Sequence, residues 1–353
     1  MSKRQNKRRR MTEMRYLFYP GCNAEQVEKE ALDATNALCS ELGIELEYAK
    51  DFSCCGATHV DKVDGFLDLL INARNMARAE EKELPVMTIC NTCFIVMKRV
   101  QHKLAKSPGL RDKVNYELAK VGLKYKGTAK ILHLIDLLYD DYGVDALRGK
   151  VVRPLDGIKV APFYGCHLLR PESELNRSEQ ETEQMVDEII ESLGAELVNF
   201  DEESSCCGFH VTMANPELCA KLNGRNILSA KQQEADLIVT PCTLCHTVMD
   251  GQQHRAEKMV GEQLRMPVLH LPQLVGLAIG IDAKRLGLGR HVVSCKELMG
   301  KIVYGVGPRE QLSGPEPGDQ LTYDDNMDED ISATESQEDA DVAEDADRDS
   351  YTK

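Results

Sequence analysis

A chain of 353 residues with 43 basic and 58 acidic side chains, a formal net charge of −15, no Trp and 5% aromatic residues is long enough for about two domains and needs no disulfides to hold its core. The charge is uneven: residues 1–10 hold six Lys and Arg and no acid, residues 316–353 hold 15 acids against Arg348 and Lys353, and the body between carries 43 acids and 35 bases. So mildly acidic a body excludes nonspecific attraction to nucleic acid or to an anionic membrane as its business.

In chain order, residues 1–13 form a basic extension expected to be disordered, and a first domain is placed at 14–150. It opens with a short apolar run over 16–19 that predicts a buried strand. A helical stretch over 25–42 stops at Gly43. A β-type run over 44–48, a helix over 64–83 and a strand over 85–89 then lead into Cys90-x-x-Cys93. The second domain, placed at 151–300, repeats the order: strand 160–164, helix 179–193 ending at Gly194, strand 196–200, helix 217–234, and strand 237–240 leading into Cys242-x-x-Cys245. Strands alternating with helices of this length predict an α/β fold with mostly parallel strands, whose ligands gather at the carboxyl ends of the strands. Every cysteine group follows a predicted strand, so each domain carries its thiols toward one edge. Residues 301–353 form an acidic tail too poor in large apolar residues to offset its ordering entropy, and disorder is expected there.

The longest apolar run, 274–281, is far short of the roughly 20 residues of a membrane span, so no direct membrane insertion is expected. The basic start lacks the apolar segment of a secretory signal. A cytoplasmic location follows as the expectation, and there thiols stay reduced and clustered cysteines hold metal or do redox chemistry.

The two domains are a duplication. Residues 15–22, RYLFYPGC, match 159–166, KVAPFYGC; 42–46, LGIEL, match 193–197, LGAEL; and Ser53-Cys54-Cys55-Gly56 matches Ser205-Cys206-Cys207-Gly208. Asn72-Ala-Arg-Asn75 resembles Asn223-Gly-Arg-Asn226, and 131–138, ILHLIDLL, is echoed by 268–275, VLHLPQLV. Ten of the thirteen cysteines obey the repeat, at an offset of 144 for the first and 152 for the other four.

Each copy therefore brings five thiols: Cys22, Cys54, Cys55, Cys90 and Cys93, then Cys166, Cys206, Cys207, Cys242 and Cys245. Structural zinc is satisfied by four tetrahedral ligands. Five thiols, two of them adjacent in sequence, exceed that need and suit a multi-iron cluster with several metal corners. Zinc in one or both sites, or a metal-free dithiol enzyme, are the alternatives. Cys39, Cys219 and Cys295 lie outside the repeat, and buried free thiols of this kind behave as small hydrophobes.

This pattern resembles the cysteine-rich CCG domain, about C-x31–39-CC-x35–36-C-x2-C, and two tandem copies are similar to the B subunit of heterodisulfide reductase. The second spacer here is 34 residues in both copies, one shorter than the usual form. The resemblance implies two tandem pseudo-symmetric CCG domains. It also implies a noncubane [4Fe-4S] cluster in each, held by the ten cysteines above, and a substrate disulfide or thiol handled in two one-electron steps. No ferredoxin-type cysteine run and no dinucleotide fingerprint is present. The expected partners are therefore a ferredoxin-type iron–sulfur subunit and a flavoprotein subunit. The same domains also occur in electron-transfer or anchor subunits of lactate, glycolate and succinate dehydrogenase complexes, and a metal-binding assembly scaffold is the non-enzymatic reading.

Four histidines, His59, His167, His210 and His246, closely follow cysteine motifs, whereas copy one has Asn23 and Phe94 opposite His167 and His246. An uneven supply of neutral-pH proton donors places the reactive centre in copy two, with Cys206, Cys207, His167 and His210 as its catalytic candidates. Arg170 and Arg225 are candidate contacts for an anionic substrate.

Overall fold

The computed structural model describes residues 14–304. They contain eight strands, β1 Arg15–Phe18, β2 Glu45–Tyr48, β3 Val86–Thr88, β4 Ile131–His133, β5 Lys159–Pro162, β6 Glu196–Leu197, β7 Leu237–Thr240 and β8 Val268–His270. These make two four-stranded sheets with the same topology, β2-β1-β3-β4 and β6-β5-β7-β8, and every pairing is parallel. In register, Leu17 lies beside Val86 and Val160 beside Leu237. Parallel strands are joined by helices that cover both faces, so their residues are buried on both sides. Accordingly Leu17, Phe18, Val86, Met87 and all of Leu237, Ile238, Val239 and Thr240 are fully buried.

The expected helix over 25–42 is two helices, Cys22–Gln26 and Lys29–Glu41, with the chain turning at Val27 and Glu28, whose amides both donate to Asn23 O. No glycine or proline marks this break. It is set by tertiary contacts, because Glu28 turns inward to two buried histidines. In the second copy the corresponding region holds the short helices Cys166–Leu169 and Glu172–Leu175 before the long helix Glu179–Ser192. That long helix starts at a capping box: Ser178 Oγ accepts from Glu181 N at 3.1 Å, and Glu181 Oε2 accepts from Ser178 N at 2.8 Å. β6 is two residues rather than five. The fourth strand of each sheet, β4 or β8, comes from the closing ILH or VLH segment, whose three residues are too few to mark a strand by pattern.

The last described helix, Lys296–Tyr304, crosses the expected domain end at 300 and buries Ile302, so the ordered second domain reaches at least residue 304. The basic extension 1–13 and the remainder of the acidic tail, 305–353, lie outside the described residues.

The copies are joined by reciprocal packing. Helix Lys29–Glu41 of the first lies against Leu271–Ala278 of the second, while Cys166–Leu169 and Glu172–Leu175 of the second lie against Asn91–Lys106 of the first. Side chains pin both junctions. Asn23 Nδ2 donates to Thr247 Oγ1 at 2.9 Å, and Asn91 Nδ2 donates to Tyr164 O at 2.8 Å. The carboxyl ends of β1 and β5, and the Cys-x-x-Cys helices after β3 and β7, thereby meet in one zone.

Leu17 sits on a central strand with no exposed surface. Leu17→Ala is expected to lower stability by about 2–5 kcal/mol, read by denaturant unfolding of the full chain. Tyr116→Ala, on the exposed face of helix Pro108–Ala119, is the control and should stay within about 0.5 kcal/mol of the parent.

Candidate metal centres at the junction of the repeats

The five thiols of each copy converge as the repeat requires. In copy one Cys22 Sγ lies 3.8 Å from Cys54 Sγ, and Cys55 Sγ lies 3.4 Å from Cys93 Sγ. Cys90 and Cys93 stand at the N-cap and third position of helix Asn91–Lys106, and Cys242 and Cys245 occupy the same places on helix Thr243–Gly251. A helix start favours the thiolate through its free amides and dipole. Each N-cap cysteine is also fixed by a threonine two residues earlier, Cys90 N donating to Thr88 Oγ1 at 3.3 Å and Cys242 N to Thr240 Oγ1 at 3.4 Å.

Backbone amides are aimed at the paired cysteines. Gly56 N and Ala57 N donate to Cys54 and Cys55 Sγ, and Gly208 N donates to Cys206 Sγ, each at 3.4 Å. Gly56 and Gly208 both have φ 86°, a left-handed turn that brings the amide back onto the sulfur and accounts for glycine after each pair. Asparagines from the neighbouring helix clamp the same loops. Asn72 Nδ2 donates to Cys55 O at 3.1 Å, Asn75 bonds both the N and the O of Ser53, and Asn226 Nδ2 donates to Cys206 O at 3.0 Å. The matched Asn-x-x-Asn segments therefore hold cysteine loops in place.

The electrostatics of the two sets are alike. Contacts with the Cys22 and Cys55 thiols, offset by burial and aided by Gly56 N–H, hold the Cys54 thiol down to about 2. Contacts with Cys166 and Cys207, again helped by the glycine amide, hold Cys206 at about 2. In compensation Cys22 and Cys166 are pushed up, chiefly by the thiols they face, and so are the buried Cys93 and Cys245. The two sets also influence one another: the Cys242 thiol is the leading influence that lowers Cys90. Five sulfurs this close cannot all ionise without a multivalent cation among them. Gly21 and Gly165 line the two sets, and an added Cβ would stand 3.0 Å from Cys93 Sγ or 3.1 Å from Cys245 Sγ.

A narrow cavity opens on the second set, lined by Cys166, Cys206, Cys207, His167, His210 and Thr92 among others. Thr92, from copy one, bridges the two histidines, with its Oγ1 2.8 Å from His167 Nδ1 and 3.4 Å from His210 Nε2. His210 Nδ1 in turn lies 3.4 Å from Nε2 of the exposed His59 of copy one. A chain of protonable groups thus runs from the surface to the residue after Cys166. Burial lowers His167, and burial followed by the neighbouring His167 and His59 imidazoles lowers His210 to about 4.

Other expected residues are placed elsewhere. His246 is buried away from the cavity, bonded to Glu28 and to Val268 O, so it is no contact for a substrate there. Arg170 pairs with Glu179 at 2.6 Å and Arg225 with Glu202 at 3.4 Å; both charges are answered within the chain rather than facing a ligand. Cys39, Cys219 and Cys295 are buried. Sequence reasoning misses Thr92 because nothing local distinguishes a threonine between two cysteines; its role arises only from the other repeat.

The cysteine-rich domain family CCG matches residues 16–98 and 160–250. The chain is 40% identical over 283 residues to the 8-methylmenaquinol:fumarate reductase membrane anchor subunit of Wolinella succinogenes, covering 80% of this chain and 98% of that protein. It is 33% identical over 295 residues to a protein of Archaeoglobus profundus described as like the heterodisulfide reductase B subunit, 82% and 98% covered. It is 31% identical over 287 residues to the B subunit of the ferredoxin/F(420)H(2)-dependent CoB-CoM heterodisulfide reductase of Methanosarcina acetivorans, 80% and 92% covered. A hypothetical protein from Helicobacter pylori has a similar fold, with a TM-score of 0.66 at 15% identity over 80% of this chain; the match spans about half, 52%, of that one. No helix of the described residues is long and apolar enough to cross a membrane.

Gly165→Ala should selectively deplete metal from the second thiol set, because its Cβ would also meet Asn91 Nδ2 at 2.8 Å. Gly43→Ala shares the positive φ with nothing within 4 Å and isolates the cost of backbone strain, about 1–2 kcal/mol. Metal analysis of the two anaerobically purified variants checks this; equal metal content in both would show that the close approach at Gly165 is not what shapes the site.

Proposed function

Because the chain belongs to the cysteine-rich CCG domain family, we propose that it is the iron–sulfur subunit of a heterodisulfide reductase-like complex, reducing or forming a thiol disulfide at the second thiol set. The observation that carries this reading is the chain His59, His210, Thr92 and His167, which runs from the surface to a crevice of about 10 Å³ beside Cys166, Cys206 and Cys207. The donor sets fit the implied clusters: five soft thiols each, amides aimed at the paired sulfurs, and glycines that leave room beside Cys93 and Cys245. Cys22, Cys54, Cys55, Cys90 and Cys93 would hold one noncubane [4Fe-4S] cluster, and Cys166, Cys206, Cys207, Cys242 and Cys245 the other. When bound, the clusters would supply one-electron chemistry at sulfur.

The balance of the reaction assigns the protein's own residues. A disulfide takes up two electrons and two protons, its S–S bond breaks, and two thiols leave. The departing thiolate needs an acid, and His167 at the cavity wall is the group within reach. Thr92 orients that imidazole, and His210 and His59 restore its proton from solvent. Apolar Phe209 and Leu244 line the same cavity and limit water. Electrons would come from partner subunits carrying ferredoxin-type clusters and flavin.

The 40% identity to a fumarate reductase anchor subunit favours a second reading, an electron-transfer module in which the same sets relay electrons and no disulfide is cleaved. Anaerobically purified protein should contain about eight iron and eight acid-labile sulfide per chain; a chain holding zinc alone ends both readings. Cys206→Ser should abolish disulfide reduction and leave the copy-one cluster able to accept electrons. His167→Ala should slow it roughly 10²- to 10⁴-fold with cluster spectra intact. Electron relay to a quinol-linked dehydrogenase partner that survives His167→Ala unchanged, with no disulfide turnover by the parent, would establish the module instead.

A further inference from the structure

We propose that Glu28, Glu30, His246 and His270 form a further metal site, for one divalent first-row transition ion such as Zn²⁺, which pins the two repeats together at the junction away from the reactive cavity. The two carboxylates come from copy one, placed by the break between helices Cys22–Gln26 and Lys29–Glu41. The two imidazoles come from copy two, His246 on helix Thr243–Gly251 and His270 at the end of β8.

All four residues are buried, at 4%, 6%, 1% and 2% exposure respectively. Glu28 Oε2 lies 2.6 Å from His246 Nδ1 and 3.2 Å from His270 Nε2, and Glu30 Oε1 lies 3.9 Å from His246 Nδ1. One donor atom from each of the four falls within 4.8 Å of all the others. A tetrahedral ion with bonds of about 2.0–2.2 Å needs donors about 3.3–3.6 Å apart, so to close the shell the donors draw in from up to 4.8 Å and the two imidazoles, stacked at 4.2 Å, turn their nitrogens toward one point. Two nitrogens and two carboxylate oxygens are a set that borderline first-row ions accept.

Two features point to a cation rather than to a plain hydrogen-bonded network. His246 Nε2 lies 2.9 Å from Val268 O and must donate to that carbonyl. Its Nδ1 faces Glu28 Oε2 at 2.6 Å, and a bound ion would take the place of the proton that otherwise bridges the two. A backbone carbonyl on the far nitrogen is the usual outer partner of a metal-bound histidine. The second feature is charge. Among the described residues, Glu28 and Glu30 have only histidines as ion-pair partners. At the other junction the buried Asp136 is met by Arg177 at 2.5 Å, and no guanidinium plays that part here. A divalent ion would pair with both carboxylates at once and displace the proton that Glu30, held up to about 8 chiefly by burial, otherwise keeps. Four protein ligands leave no open position, which makes the site structural rather than catalytic.

The test uses the full chain, purified anaerobically with its iron and sulfide measured, freed of loose metal and then offered Zn²⁺ or Co²⁺ alone. The expected result is about one retained ion per chain beyond the cluster iron and a higher melting temperature. The Co²⁺ form should show ligand-field bands without thiolate-to-cobalt charge transfer. Glu28→Gln and His270→Gln should each lose the ion, with iron and sulfide unchanged. Retention by both variants at the parental level, or no uptake by the parent, would overturn the proposal. Should the variants fail to fold, the parent's cobalt spectrum decides alone: thiolate charge transfer would place the ion in the cysteine sets and sink it.

Discussion

Ten sulfurs gathered where the repeats meet, six of them buried, are the constraint on which the rest of the structure depends. Thiols in contact cannot share negative charge in a poorly solvated site, so the chain must either keep protons on most of them or hold a multivalent cation among them. The parallel sheets solve the geometric half of this problem. A short strand ends, the chain turns, and a helix begins with its amides pointing back at the turn; this happens once before each Cys-x-x-Cys and again at Cys22 and Cys166. The amides of Gly56, Ala57 and Gly208 and the helix starts then provide positive potential where sulfur carries charge. Burial of the sheets supplies the stability that such a crowded edge removes.

Duplication doubles the centre, and reciprocal packing gives each repeat a hand in the other's site. Asn23 of the first reaches Thr247 of the second, while Asn91 and Thr92 of the first reach Tyr164 and His167 of the second. Neither repeat completes its surroundings alone. Because the Cys242 thiol is the leading influence on Cys90, a change in charge at one set is felt at the other.

Much of this was legible in the sequence. The repeat, the parallel α/β order and the convergence of ten cysteines follow from the spacing, since a strand–turn–helix unit leaves a thiol little choice of position. Boundaries were less legible. The break at Val27–Glu28 has no glycine or proline and depends on His246 and His270, more than 200 residues away. β4 and β8 lie in short segments whose strand character comes from pairing with β3 and β7. Side-chain roles that cross the junction were least legible of all: His246 looks like the partner of His167 when each is read beside its own cysteine, yet one faces the cavity and the other a buried glutamate. Local text reports neighbours on one element, and these roles belong to pairs of elements.

The departures from symmetry explain how one duplicated fold yields a single reactive face. At one junction His167 meets Thr92 and His210; by the repeat, Asn23, Leu244 and Thr58 hold the equivalent positions, none of them an imidazole. Where copy two places His246 against Glu28, copy one has Phe94 edge-on to His133 at 5.7 Å. The imidazoles are thus divided: His167 and His210 stand beside the second thiol set, and His246 and His270 are buried against Glu28 where the repeats pack. Under the proposed reaction two electrons and two protons reach one bond, and His167 and His210 stand beside the second set to deliver the protons. The first set is itself open, with Cys22 and Cys54 exposed, so what distinguishes the second is the imidazoles beside it rather than shelter from water. Placing one pair of histidines beside the thiols and another buried against Glu28 lets one fold give its two junctions different chemistry.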